Sequence, residues 1–199
     1  MTIWNSIPRH LSKEKKKFIY NELKTGARSY AYEVAMSWLF ETRLVYKVSR
    51  TEKNKLPLAS YANEQFFKLY MLDIGLLSAI ADLDMSVLYE PDEKLLGIFN
   101  GAMTEQFVLQ ELITHGFRPY YWGRDKGAAE VDFVIQWQNE IVPVEVKAGF
   151  RKKSKSLDVY RSLYNPAHAV KTTLNNFGVA GNLYSVPLYM IGSLGRVLV

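Results

Sequence analysis

Apolar residues recur at two different periods along this chain. Ala31, Val34, Ala35, Trp38 and Leu39 fall at i, i+3, i+4, i+7 and i+8, which predicts an amphipathic helix from Tyr30 to about Glu41. Residues Ser12 to Lys24 read as an earlier helix, with Ser12 as N-cap and Gly26 just past the end. Leu44 to Val48 reads as a strand, Ser49 to Lys55 as a polar turn, and Phe67 to Met71 as a return strand. Asp73-Ile74-Gly75-Leu76-Leu77 opens a short helix. Helices followed by a β-ribbon describe a winged-helix-like unit over residues 1–85. Such a unit either touches DNA through its second or third helix or serves as a packing or partner module.

The acidic stretch from Asp82 to Gly97, which contains Pro91, marks the boundary to a second domain over residues 98–199. Asn100 to His115 reads as a helix and Arg118 to Trp122 as a strand. A Gly-rich turn, Gly123 to Gly127, leads into a hairpin over Ala129 to Lys147. Ser154 to Tyr164 is a helix, and His168 to Leu174 and Leu188 to Ile191 are further strands. The order α-β-β-β-α-β predicts an α/β (α+β) fold with a mixed sheet.

The hairpin carries the chemistry. With Gln138-Asn139 as its turn, Asp132 stands opposite Glu145, and Lys147 shares their face. Like charges directly opposite are destabilising. Two arrangements remove the penalty: a shared divalent cation, or a salt bridge in which Lys147 neutralises both acids. Hard cations such as Mg²⁺ or Mn²⁺ take carboxylates, carbonyls and water. Asp132 and Glu145 are the candidate carboxylate ligands, and the backbone carbonyl of Val146 is a candidate third. Lys147 is placed to orient a water or stabilise phosphate charge. Glu105 shares the apolar stripe of its helix with Leu109 and Leu112, where an acid needs a partner. It either completes the metal shell, accepts a proton, or sits near the helix start where the dipole favours it. Glu130 shares a face with Asp132 and is either a further ligand or a solvated turn residue.

Charge distribution extends the picture toward a polyanion. The chain of 199 residues is net +5, yet residues 29–146 are net −7 while residues 1–28 and 147–199 are net +5 and +7. Arg151, Lys152, Lys153 and Lys155, beside the acidic pair, are candidate nucleic-acid contacts, or else a solvated face. Cysteine is absent, which excludes disulfides, thiolate nucleophiles and cysteine zinc sites. His10, His115 and His168 form no ligand spacing and read as surface or packing residues. At 48% hydrophobic the chain can bury a core. No apolar run spans a bilayer and no signal peptide is visible, which fits a cytoplasmic protein.

Glu105, Asp132 and Glu145-Val146-Lys147, in this element order, resemble the PD-(D/E)xK nuclease superfamily. More narrowly, the chain resembles the C-terminal half of bacterial and archaeal AAA-type ATPases that carry a domain of unknown function. The resembling segments include Ile7-Pro8-Arg9-His10-Leu11, Phe66 to Leu77, Thr104 to Val108, Glu130 to Phe133 and Glu145 to Gly149. The resemblance implies a winged-helix segment, a restriction-endonuclease-like core and a Mg²⁺-dependent site acting on DNA, with RNA as an alternative substrate. It also implies an N-terminal nucleotide-binding module in full-length relatives. This chain has no Gly-x-x-x-x-Gly-Lys-Ser/Thr loop and no ATP site by that route; it reads as a truncated product or a gene fragment. Ala128-Ala129 stand where a proline often precedes the first motif acid. Two readings follow: a metal-dependent nuclease-like domain, or a catalytically silent module that binds nucleic acid or protein and regulates the ATPase.

Overall fold

The computed structural model describes residues 3–13, 16–26, 28–89, 97–124, 129–149 and 153–198. Arg151 and Lys152, two of the expected nucleic-acid contacts, lie outside them, as does most of the turn before the hairpin. The described residues form six α-helices and eight strands in one mixed sheet of order β2-β1-β3-β4-β5-β6-β8-β7. The chain divides into two compact units, residues 1–48 with 66–106, and residues 49–65 with 107–199.

In the first unit, α1 (Ile3–Leu11) buries Ile3, Ser6, Ile7, His10 and Leu11, a stripe at helical spacing. Among the described residues of 12–24 the expected helix is not formed; only a 3-10 turn, Tyr20–Glu22, is. Ser12 is no N-cap: its N–H and hydroxyl donate to the Pro8 carbonyl at 3.0 and 2.7 Å and close α1. Between residues 16 and 26 only Phe18 and Leu23 are buried, five positions apart, so no helical stripe exists. Phe18 instead donates its N–H to the Phe67 carbonyl at 2.9 Å and stacks on the Phe67 ring. Pro8 inside α1 disguises the real helix, because an interior proline argues against one.

A 3-10 turn leads into α2 (Glu33–Glu41), close to the expected bounds. Its predicted apolar face is mostly turned to solvent. Only Met36 and Leu39 are buried, while Val34 is 85% and Trp38 57% exposed. Strand β1 (Val45–Thr51) outlasts the expected turn at Ser49. The polar side chains at its end are satisfied locally: Ser49 donates to Glu64 at 3.1 Å, Arg50 pairs with Glu52, and Thr51 donates to the Lys53 carbonyl at 3.0 Å. β2 (Ala62–Met71) is the return strand, and α3 (Ile74–Ile80) is capped by Asp73, whose carboxylate accepts the Leu76 N–H at 2.7 Å. Gln106, fully buried on α4 (Gly97–Thr114), takes both backbone groups of Met71 at the end of β2.

The second unit opens on the last residues of β1, which run parallel to β3 (Tyr120–Gly123). β3 is antiparallel to β4 (Glu130–Trp137), with an irregularity between Tyr120 and Trp122. β4 pairs antiparallel with β5 (Glu140–Glu145) in the expected register, from Trp137↔Glu140 to Phe133↔Val144. Gln138 adopts φ 51° at the turn, the positive φ that a two-residue hairpin loop requires at its first position. The crossover helix α5 (Lys155–Tyr164) returns the chain to β6 (Ala169–Thr173), parallel to β5. The element order α4-β3-β4-β5-α5-β6 is the expected one. The last expected strand is displaced. β7 (Gly178–Ala180) and β8 (Leu183–Pro187) form a hairpin across Gly181, and β8 runs parallel to β6. Residues 188–191, expected as strand, form a 3-10 turn leading to α6 (Leu194–Val197). Pro187, with no N–H to donate, closes the ladder just before them.

Leu157 and Tyr160 of α5 pack on Trp122, Val131, Val134 and Ala169 of the sheet. Trp122, Tyr160 and Tyr164 meet edge to face with centroids 4.8–6.0 Å apart. Such pairs add about 0.5–1.5 kcal/mol each beyond burial. The Tyr160 hydroxyl donates to Asn54 at 2.6 Å, and burial pushes its ionisation well above the usual 10.0. The fold therefore favours the neutral phenol. Its contribution is complete below pH 10 and declines as pH rises above that. Urea unfolding at pH 8 and pH 11 is expected to show a smaller alkaline loss of stability in Tyr160→Phe than in the wild type. Equal losses would show that Tyr160 is not the group responsible.

Candidate active site at the end of the β4–β5 hairpin

Asp132, Glu145, Val146 and Lys147 come together in the second unit, where β5 leaves the ladder. The register places Phe133 opposite Val144, so Asp132 and Glu145 occupy the next position. Beyond it the backbone pairing stops and side chains take over. The Val146 N–H donates to Asp132 Oδ2 at 2.8 Å. The Lys147 N–H donates to Thr172 Oγ1 at 2.7 Å, and the Thr172 hydroxyl donates to the Lys147 carbonyl at 3.2 Å. The amides of two consecutive residues are thus held from the strands on either side, by Asp132 of β4 and Thr172 of β6.

Glu145 is 4% exposed, and the Lys147 ammonium donates to its Oε1 at 2.6 Å. An ion pair this close, half-shielded from water, is more than a surface contact, because breaking it leaves a buried carboxylate without its cation. Lys147 thus pairs with one of the two acids, Glu145. Asp132 has a backbone donor, the Val146 N–H, which favours its charged form. The lysine pairing was one of the arrangements read from the sequence, whereas the Val146 N–H bond to Asp132 was not. Thr172 was missed altogether. Its signal was one of two threonines in the strand Ala169-Val170-Lys171-Thr172-Thr173, and threonine is common in sheets for packing reasons alone.

Glu105 belongs to the first unit. It is 3% exposed, in the middle of α4 rather than near its start, so the helix dipole does not account for it. Its Oε2 accepts from Lys16 Nζ at 2.7 Å and from the Tyr70 hydroxyl at 3.2 Å. The partner that its burial required is thus supplied by a lysine and a tyrosine. Glu130 begins β4, half-buried, and its N–H donates to Ser156 Oγ at 3.3 Å. Lys153 and Lys155 are exposed around the start of α5. His10 is buried with Nδ1 2.9 Å from the Ser6 carbonyl, and His168 Nδ1 lies 2.6 Å from Glu140, both packing environments.

Among the described residues no group of three or more His, Cys, Asp or Glu side chains could hold a metal ion. The donor set at the hairpin end is smaller: two carboxylates and one carbonyl. That number fits Mg²⁺, which is commonly bound by one or two carboxylates with waters and substrate phosphate making up the rest. It does not fit a closed, all-protein cage.

Residues 100–191 match a family described as a domain of unknown function, DUF4143. Residues 1–86 match a second such family, DUF8612. Neither description assigns an activity. No curated protein matches the chain. A crystal structure of protein VC1899 from Vibrio cholerae is similar at 14% identity and a TM-score of 0.31. The match covers 98% of this chain and 48% of that one, so the chain spans about half the length of that relative. A likeness this distant carries no assignment of fold. No helix among the described residues is long and apolar enough to cross a membrane.

The lysine–glutamate pair can be weighed by a double-mutant cycle. Lys147→Met is expected to destabilise the chain by up to about 3 kcal/mol, since it strands Glu145. Adding Glu145→Gln should recover most of that loss. Additive losses in denaturant unfolding would show that the two side chains do not interact.

Proposed function

We propose that the second unit is a nuclease-like domain that uses a divalent cation, Mg²⁺ or Mn²⁺, to act on DNA. What supports this most is the meeting of Asp132 with the Val146 amide and of Glu145 with Lys147 where the ladder ends. Asp132, Glu145 and the Val146 carbonyl would hold the cation, with Glu130 as an outlying carboxylate. Once bound, the cation supplies charge neutralisation at a phosphodiester and a more acidic water. Lys147 stabilises charge developing on the phosphate, its ammonium moving from Glu145 toward the substrate. Lys153 and Lys155, with Arg151 and Lys152, bind the nucleic-acid backbone. The restriction-endonuclease-like core, the winged-helix character of residues 1–85 and an association with the ATPase module of full-length relatives belong to the same proposal.

A second reading has its own support. Lys147 and Lys16 already pair with Glu145 and Glu105. The outer face of α2 presents Val34 and Trp38 with Glu33 and Glu41, and no basic residue. That surface suits a protein partner better than phosphate. On this reading the chain is a catalytically silent module that binds nucleic acid or protein and regulates the ATPase.

Calorimetry with Mn²⁺ and cleavage assays on plasmid and single-stranded DNA separate the two. The nuclease reading expects Mn²⁺ binding that Asp132→Ala abolishes, and cleavage reduced about 100-fold or more in Lys147→Ala. Cleavage unchanged in both variants would remove these residues from the site. Absence of both metal binding and cleavage in the wild type would favour the regulatory module.

A further inference from the structure

We propose that Thr172 is the positioning residue that aims Lys147. The kinetic part of this inference rests on the nuclease reading, whereas its structural part stands without it. Pairing between β5 and β6 runs through Val144↔Val170 and Glu145↔Lys171 and then ends. Thr172 is the next residue of β6. It is fully buried, and its own strand continues on the other side, paired Thr172↔Val186 with β8. The backbone of Thr172 is therefore fixed by the sheet while its side chain turns toward the departing chain.

A threonine hydroxyl has one proton to donate and two lone pairs to accept with. Here it accepts the Lys147 N–H at 2.7 Å and gives its proton to the Lys147 carbonyl at 3.2 Å. One hydroxyl thus does for Lys147 what a facing backbone residue does inside a ladder. The geometry differs from a ladder, because the side chain stands off from the strand and holds Lys147 out of regular pairing. Successive strand residues alternate faces, so the position where pairing is abandoned decides where the next side chain points. Lys147 is then fixed at two places: its backbone on Thr172 and its ammonium on Glu145 at 2.6 Å. The neighbouring Val146 N–H on Asp132 holds the same short segment from β4.

Thr172→Val keeps the shape and removes both bonds, and Thr172→Ser keeps the hydroxyl. In the full chain, amide hydrogen exchange at Lys147 is expected to be about fivefold faster or more in Thr172→Val and restored in Thr172→Ser. Equal exchange in the wild type and Thr172→Val overturns the proposal. If Thr172→Val does not fold, the wild type still decides. Slow exchange at Lys147, beyond the end of β5, supports the proposal, and exchange at the free-peptide rate overturns it. With Mn²⁺ and DNA, Thr172→Val is expected to lower kcat about 10- to 100-fold at unchanged KM, as loss of a residue supporting a site residue does. Thr172→Ser should recover it. Unaltered kcat alongside accelerated exchange would overturn the aiming role of the contact. A wild type that does not cleave DNA defeats the nuclease reading, and the exchange result then stands on its own.

Discussion

The register of the β4–β5 hairpin is the constraint on which the candidate site depends. Side chains alternate with a period of two, so a slip of one residue would move Asp132 to one face and Glu145 to the other. Two things prevent the slip. Gln138 accepts a left-handed φ at the turn, and Phe133, Val134, Ile135, Val142 and Val144 are all buried. A slipped register would break this packing on both faces of an interior hairpin. The two carboxylates are placed by hydrophobic packing that has nothing to do with their chemistry.

Charge is managed within each unit by short, specific contacts. A buried carboxylate is expensive unless a cation or hydrogen-bond donors accompany it. Glu145 has Lys147, Asp132 has a backbone N–H, and Glu105 has Lys16 and Tyr70. Each pairing is compatible with later use in chemistry, since a lysine that shields a carboxylate at rest is available to a phosphate when one arrives. The same pairings serve a purely structural role equally well, so only the response to metal and substrate separates the two readings.

The hairpin, its register and the α-β-β-β-α-β order were legible because they rest on local signals: alternation, a polar two-residue turn and clear helical stripes. The helix over residues 3–11 went unread because Pro8 argues against one, and residues 12–24 were misread because the lysine-rich stretch imitates a helix. The real burial pattern depends on Phe67, far away in sequence. Pro143 also runs against expectation. It sits in an interior strand opposite Val134, although a proline normally marks an edge. The partners of Glu105 and the role of Thr172 were invisible for the same reason. Sequence spacing reveals which face a residue occupies, but a partner from another element is set by tertiary structure alone.

The bond between Lys16 and Glu105 has an evolutionary consequence. The two residues are 89 positions apart in the chain, and both side chains are shielded from water. Replacing either one alone strands a charge in the first unit, whereas replacing both with apolar residues of similar volume costs far less. Sequence drift at these positions is therefore locked into step. A lineage passes from the charged pair to an uncharged one only through an unstable intermediate, so the pair is retained by the barrier to leaving it as much as by what it contributes.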